Sequence, residues 1–208
     1  YVAITDHAED LAINGLSRER VLEESAVIEA ARKRFKDITI LHGAELNIGP
    51  DGSVDYDPTF LETFDFAVAS IHSHFDLDED TQTRRLIAAT QNPAVTVIGH
   101  PSGRKIGRRP GVRFDIVAVA TSAAETGTAL EINSHLQRLD LSASNLKTAV
   151  EIDGVMFAVS TDAHHTTELA NSRWGAALAR KGWVPPSRVV NSLPIGEFMA
   201  WIGQKRGL

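Results

Sequence analysis

Short apolar segments rich in β-branched residues alternate with longer amphipathic segments along the chain. The apolar segments predict six β-strands, at residues 2–5, 38–46, 66–71, 95–99, 129–132 and 156–160. The amphipathic segments predict helices after Ser17, which stands at an N-cap position, and at residues 80–90, 114–126, 142–151 and 169–181. Strands that alternate with helices indicate a parallel sheet, either open and doubly wound or closed into a barrel.

Side chains that can bind a metal or form hydrogen bonds stand at or just beyond the carboxyl end of every predicted strand. They are Asp6 and His7, Glu45, His72, His100, Glu131 and Asn133, and Asp162 and His164. In a barrel of parallel strands the carboxyl ends meet on one face, where the active sites of such barrels lie. No glycine-rich phosphate loop follows the first strand, which disfavours a nucleotide-binding open sheet. The pattern therefore predicts one site shared by all the strand ends.

The chemistry of these side chains predicts a cluster of metal ions. The chain has no cysteine, so any metal must be held by nitrogen and oxygen ligands. Imidazole and carboxylate together suit Zn²⁺, Mn²⁺ or Fe and disfavour Ca²⁺. The ligands outnumber the needs of one tetrahedral ion, so we expect a multinuclear site with Glu45 as a bridging carboxylate and Asp6 orienting His7. Phosphoester hydrolysis uses such sites, because the ions lower the pKa of a water and clamp the phosphoryl oxygens.

Composition limits the class of protein. With 208 residues, 43% of them hydrophobic, the chain predicts a single domain over residues 1–208. There is no run of eighteen apolar residues and no signal-peptide pattern, so we expect no membrane partner. The absence of cysteine fits a cytoplasmic location. The net charge of −6 argues against a broad nucleic-acid-coating surface.

One basic segment, "SGRKIGRRPGVR", stands out in this acidic chain. It follows His100 and predicts substrate-binding roles for Arg104, Arg108 and Arg109 on a nucleic-acid backbone or a terminal phosphate. The alternative is a solvated loop. Arg138 is a second phosphate-binding candidate, while Asn133 fits substrate contact, support of a neighbouring ligand, or a loop cap.

The motifs "ITDH", "GAELNI", "SIHS", "IGHPSGR", "EINS…RLDL" and "STDAH", in this order, resemble the PHP (polymerase and histidinol phosphatase) superfamily. The likeness is closest to the C-terminal PHP domain of bacterial and archaeal family X DNA polymerases, and it covers nearly the whole chain. It implies a distorted (β/α)7 TIM-like barrel with up to three divalent ions (Zn, Mn or Fe). By resemblance, Glu45 bridges two ions, His72 and His100 complete one, Asp162 binds the other, and His7 and His164 share the third. Glu45, Asp162 and His164 are then the catalytic candidates.

The family pattern also includes an H-x-H pair, and a further acidic or histidine ligand, on a strand and loop upstream of "TDH". The sequence opens on "YVAIT", which looks like a central strand with no cap before it. We therefore expect the first strand of the barrel to be missing from this sequence. In the chain as written only the Glu45/His72/His100 site is complete, and the other two are half-ligated. If the strand is truly absent, we expect weakened metal retention and little or no hydrolysis.

Three functions remain open from the sequence. The first is a phosphoesterase that trims DNA ends with 3′→5′ exonuclease-like activity, within or beside a polymerase domain. The second is a small-molecule phosphatase of the histidinol-phosphatase type, and the third is a non-catalytic structural domain. Among the other histidines, we expect His42 to pack under a helix and His74 and His165 to lie at the surface, while His135 has no assigned role. We expect the tryptophans, Trp174, Trp183 and Trp201, to pack helices against the barrel.

Overall fold

Strands and helices alternate through residues 1–207, which the structure, a computed structural model, describes. The strands are β1 (Val2–His7), β2 (Ile40–Asn47), β3 (Phe66–Ser70), β4 (Val95–Gly99), β5 (Ala129–Asn133) and β6 (Met156–Ser160). The α-helices are α1 (Arg18–Arg34), α2 (Pro58–Leu61), α3 (Glu79–Gln91), α4 (Ile116–Thr126), α5 (Ala143–Ala149), α6 (Ser172–Lys181) and α7 (Ile195–Arg206). Short 3₁₀ turns cover Thr166–Asn171, Pro186–Arg188 and Val190–Ser192. Each predicted strand and helix has a counterpart, with boundaries shifted by a few residues.

The six strands form one parallel sheet in the order β1-β2-β3-β4-β5-β6. A flat sheet of this size would separate its outer strands by about 24 Å, at about 4.8 Å per strand spacing. Yet the ring of His7, which ends β1, lies 5.8 Å from the ring of His164, four residues beyond β6. The sheet is therefore curled like part of a barrel, which agrees with the predicted α/β class.

The curl gives the sheet a concave face with an apolar half and a polar half. Near the amino ends of the strands, an apolar cluster fills this face: Leu41, Phe66, Val97, Ala129 and Ala158 from the sheet, with Val190, Phe198 and Ile202 from the C-terminal region. Helix α7 thus covers the amino end. Since side chains alternate along a strand, Leu41 and Glu45 of β2 share one face. The polar side chains are left at the open, carboxyl end.

Two expectations for residues outside the site have different outcomes. His42 is 4% exposed and contacts Glu24 of α1 at 3.2 Å, so its predicted position under a helix is confirmed. The packing prediction is wrong for Trp183, which is 75% exposed in the turn after α6. Trp174 is also exposed, whereas Trp201 packs on Phe198 with ring centroids 5.7 Å apart. Separately, every helix in residues 1–207 is too short or too polar to cross a bilayer.

The guanidinium of Arg85, on α3, is buried and bonds to main-chain carbonyls near the site. Its donors reach Gly49 O at 3.0 Å, Ser73 O at 3.3 Å and His74 O at 3.4 Å, and the residue is 1% exposed. It thereby ties the chain segment after β2 to the segment after β3. No carboxylate contacts it among the described residues.

We expect Arg85→Met to lower the free energy of unfolding by about 3 kcal/mol, because it leaves several buried carbonyls without a donor. Urea denaturation followed by circular dichroism measures the change. The control is Arg84→Met, an exposed neighbour on the same helix, which we expect to change stability by less than about 0.5 kcal/mol. Equal stability of the two variants would contradict the assignment.

Candidate metal centre

Glu45 lies at the centre of a cluster of imidazoles at the carboxyl end of the sheet. Its Oε2 is 3.2 Å from His7 Nδ1. Its Oε1 is 3.0 Å from His100 Nε2 and 3.4 Å from His72 Nε2. The two carboxylate oxygens therefore face different imidazoles, as a carboxylate bridging two positions requires.

The strand ends bring these residues together. His7 is the last residue of β1 and pairs in register with Glu45 on β2. His72 follows β3 by two residues, and His100 follows β4 directly. The rings of His7 and His100 each lie 5.1 Å from that of His72. His100 adopts a φ of +24°, and its N–H donates to the buried carboxylate of Glu131.

The cluster fits a divalent cation. His7 Nδ1, His72 Nε2 and both ring nitrogens of His100 are buried and make no hydrogen bond within residues 1–207. Buried polar atoms without a partner are costly, and a cation would satisfy one nitrogen of each ring, the one that carries a lone pair. Ligand atoms of His7, Glu45 and His72 all lie within 4.8 Å of one another. Imidazole nitrogen with carboxylate oxygen is a donor set for Zn²⁺, Mn²⁺ or Fe.

The pKa values of the cluster reflect burial and mutual contact. Burial, partly opposed by the charge of Glu45, lowers the pKa of His7 and favours the neutral form that binds metals. Burial raises the pKa of the Glu45 carboxyl, but His100 and His72 more than offset this and hold it well below its usual value. Burial likewise lowers the pKa of His100, and Glu45 reverses the direction to a net rise. Burial raises the pKa of nearby Glu131 to about 7.

Asp162 and His164 lie beside this cluster, in the segment after β6. Asp162 Oδ2 accepts hydrogen bonds from Arg138 Nε at 2.8 Å and from Asn133 Nδ2 at 3.0 Å. His164 Nδ1 lies 2.9 Å from the main-chain oxygen of Asp162, and its side chain is 62% exposed. Both line the same cavity as His7, although they stand outside the group around Glu45.

The cavity in front of the cluster has a volume of about 340 Å³. It is lined by His7, Leu11, His72, Phe75, Lys105, Arg109, His135, Gln137, Arg138, Asp162 and His164. Of the four arginines predicted to bind substrate, Arg109 and Arg138 line it. Lys105, which belongs to the same basic segment, and His135, which had no assigned role, also line it.

Arg104 and Arg108 lie elsewhere. The guanidinium of Arg104 donates to the main-chain oxygens of Arg138, at 2.6 Å from Nε, and of Leu139. Its Nε and one Nη thus join two loops, and substrate contact by Arg104 stays a prediction. Arg108 is exposed and precedes Arg109, which lines the cavity. Arg109 stacks over Phe75 at 3.5 Å and donates to the oxygen of Gly103.

Asn133 takes one of the roles expected for it, whereas Asp6 takes a different role from the one expected. Asn133 is fully buried; its Oδ1 accepts from the His135 N–H, so its Nδ2 faces Asp162. It supports Asp162, and substrate contact by Asn133 stays a prediction. Asp6 is turned toward Glu24 of α1, because adjacent strand residues point to opposite faces. The hydrogen bond between the Asp6 and Glu24 side chains, together with burial, raises the pKa of Asp6 to about 6. Asp6 therefore does not orient His7.

Sequence similarity relates the chain to two kinds of protein. It is 40% identical over 203 residues to the DNA polymerase/3′-5′ exonuclease PolX of Bacillus subtilis, covering 97% of this chain and 35% of that protein. It is 30% identical over 200 residues to a probable phosphatase of Tolumonas auensis, covering 92% of this chain and 77% of that protein. The chain thus spans about a third of the polymerase and most of the phosphatase. No protein-family model matches it.

A solved structure has a similar fold. Histidinol phosphate phosphatase from Lactococcus lactis, crystallised with zinc, L-histidinol and phosphate, superposes with a TM-score of 0.53. The match covers 86% of this chain and 81% of that one, at 18% sequence identity. This likeness shows a shared fold, in agreement with the curled parallel sheet.

Proposed function

Because the chain belongs to the PHP superfamily of metal-dependent phosphoesterases, we propose that it hydrolyses phosphodiester or phosphomonoester bonds at DNA ends, in a 3′→5′ exonuclease-like manner. The observation that carries the proposal is the Glu45 carboxylate, whose two oxygens face separate imidazoles in a buried cluster. Up to three divalent ions (Zn, Mn or Fe) would be held by His7, Glu45, His72, His100, Asp162 and His164. When bound, such ions lower the pKa of a water and neutralise phosphoryl oxygens.

The position of Arg138 is evidence for a substrate that carries a phosphoryl group. Its Nε is fixed on Asp162, while its Nη1 is buried and has no partner within residues 1–207. The residue lines the cavity, so the spare donor can bind a phosphoryl oxygen next to the metal ligands. We propose Glu45, Asp162 and His164 as the catalytic residues. Arg138 and Arg109 would bind the substrate.

The basic residues in and beside the cavity are evidence for a polymeric substrate. Lys105 and Arg109 line the cavity, and Arg108 is exposed beside them, in a chain whose net charge is −6. Leu11 and Phe75 add apolar surface to the same cavity. A terminal nucleotide offers both a phosphate and an apolar base, whereas the phosphates that follow it would pass over Arg108. The Bacillus relative is named a polymerase and 3′-5′ exonuclease, which supports a DNA substrate and an attached polymerase domain.

A small-molecule phosphatase is the second candidate. It is favoured by the phosphatase relatives, of which the chain covers a larger share, and by the fold shared with histidinol phosphate phosphatase. A cavity of about 340 Å³ accommodates a small phosphate ester as well as a nucleotide. The two functions differ in whether charged residues outside the cavity contribute to substrate binding.

We also propose that the complete fold is a distorted (β/α)7 barrel. The sheet curls, and β1 and β6 are its two edges within residues 1–207. A further strand between these edges would close the barrel and remove its unpaired backbone groups.

The substrate test uses the Mn²⁺-loaded full-length protein with 3′-labelled single-stranded and gapped DNA, and with histidinol phosphate in parallel. Shortening of the DNA supports the leading proposal. Turnover of histidinol phosphate without any shortening of DNA supports the phosphatase instead. Inactivity on both substrates would contradict the proposal that the protein is a phosphoesterase.

We expect Arg108→Glu to lower kcat/KM on single-stranded DNA by about tenfold at low salt and to leave a small chromogenic phosphodiester unaffected. The reason is that an exposed rim charge acts on a distant phosphate through long-range attraction. The control is Arg180→Glu, an exposed arginine in the last turn of α6, which we expect to change neither activity. Equal losses on both substrates would contradict a rim contact with a polymer.

A further inference from the structure

We propose that Asn47 and Asp55 fix the tautomer of His72 and thereby make its Nε2 the metal-binding atom. Asn47 Oδ1 lies 2.7 Å from His72 Nδ1, and Asn47 Nδ2 donates to Asp55 Oδ2 at 2.7 Å. Asp55 is 4% exposed, so this chain of hydrogen bonds is shielded from water. The inference rests on the proposed metal centre and concerns how the protein prepares one ligand before any ion binds.

The orientation of the Asn47 amide follows from Asp55. The Asp55 carboxylate accepts three hydrogen bonds: from Asn47 N at 2.7 Å, from Asn47 Nδ2 at 2.7 Å and from Asp10 N at 3.0 Å. A carboxylate that accepts from all sides requires the amide to present its NH₂ group, not its oxygen. The amide oxygen of Asn47 is therefore the atom that faces His72.

The tautomer of His72 follows in turn. An amide oxygen only accepts, so the hydrogen between Asn47 Oδ1 and His72 Nδ1 must belong to the imidazole. A neutral imidazole carries one such hydrogen, which leaves a lone pair on Nε2. That Nε2 is buried without a hydrogen bond and lies 3.4 Å from Glu45 Oε1. A lone pair and a carboxylate oxygen repel at this distance unless a cation lies between them, so the arrangement is prepared for a cation.

Asp55 extends this control to a second loop. It lies in the segment between β2 and α2, and its contact with Asp10 N ties that segment to the loop after β1. His7 ends β1, so the same carboxylate steadies the backbone next to a second imidazole of the cluster. Asn47 itself ends β2, two residues beyond Glu45 and on the same face of the strand. Asn47 and Asp55 are thus positioning residues: they act through His72 and touch no substrate.

The test compares Asn47→Leu with the exchanged double variant Asn47→Asp/Asp55→Asn. Leucine removes the acceptor, so we expect His72 to lose its fixed tautomer and the affinity for Zn²⁺ to fall by about 10- to 100-fold. The exchange restores an acceptor for His72 and a donor from residue 55, so we expect it to recover most of the affinity. Zn²⁺ affinity is measured by competition with a chromophoric chelator, and the tautomer by long-range ¹H–¹⁵N NMR of the imidazole nitrogens in the metal-free full-length protein.

The outcomes separate this inference from the proposed function. A hydrogen on His72 Nε2 in the wild-type protein overturns the inference, whatever the activity, and needs no variant to fold. Unchanged Zn²⁺ affinity in Asn47→Leu also overturns it, as does an exchanged variant no better than the leucine variant. If the wild type has the Nδ1–H tautomer and binds Zn²⁺ but hydrolyses no phosphoester, the inference stands and the proposed function fails.

Discussion

Glu45→Gln removes most of the bound metal and lowers kcat/KM for phosphoester hydrolysis by roughly three orders of magnitude. The expectation follows from the two oxygens of Glu45, one 3.2 Å from His7 Nδ1 and the other 3.0 Å from His100 Nε2. Glutamine keeps one oxygen and replaces the other with NH₂, which cannot bind a cation, so a single substitution weakens two positions. Metal content by plasma mass spectrometry and turnover of a chromogenic phosphodiester measure the two losses.

The control for this prediction is Glu151→Gln, an exposed carboxylate after α5 with the same change in charge. We expect it to retain full metal content and activity. Folding is checked by far-ultraviolet circular dichroism, because loss of structure would also lower both values. A folded Glu45→Gln protein with wild-type metal content would contradict the bridging role.

The fold could be predicted because its signals are local. Each strand is a short run of apolar residues, and helices such as α3 and α4 begin at a capping aspartate, Asp78 and Asp115. Strands separated by helices pair in parallel, so their carboxyl ends share one side of the sheet. This is why His7, Glu45, His72 and His100 could be expected together before their positions were known.

The supporting residues depend on contacts between distant loops, and no period in the sequence encodes these. Arg104 bonds to the oxygens of residues 138 and 139, and Asp55 bonds to the N–H of Asp10. Each pairing joins segments more than thirty residues apart. The basic composition of the loop predicts a substrate contact for Arg104, but it gives no sign that Arg104 Nε and one Nη donate within the fold. The alternation of strand side chains, by contrast, was a usable signal: once His7 faces Glu45, Asp6 must face α1.

The same limit applies to the tryptophans. An aromatic residue near a helix usually packs against the core, but the turn after α6 gives Trp183 a φ of +62° and leaves it 75% exposed. The direction of a tryptophan side chain in a turn depends on the backbone conformation of that turn. The curl of the sheet is equally a property of the whole fold, and it brings His164, in the segment after β6, back to the end of β1.

Arg138→Met lowers kcat/KM by about a hundredfold on DNA and on a small phosphodiester alike. The side chain of Arg138 is 11% exposed, its Nε holds Asp162 at 2.8 Å, and its Nη1 has no protein partner in residues 1–207. Methionine removes the proposed donor to the phosphoryl oxygen and also leaves Asp162 without its cation. Because the contact is inside the cavity, the loss does not depend on polymer length, in contrast to Arg108→Glu at the rim.

Arg138→Lys separates the two roles of the guanidinium. Lysine keeps the positive charge near Asp162 but offers one compact group, which cannot hold the carboxylate and reach a phosphoryl oxygen at once. We therefore expect metal content close to wild type with kcat/KM still reduced by about tenfold or more, and partial rescue of Arg138→Met by added guanidinium. Steady-state kinetics with metal analysis on the same samples measure these effects. If kcat/KM falls only in proportion to metal loss in both variants, then Arg138 acts through Asp162 alone. The phosphoryl oxygen must then bind another cationic side chain that lines the cavity, Lys105 or Arg109.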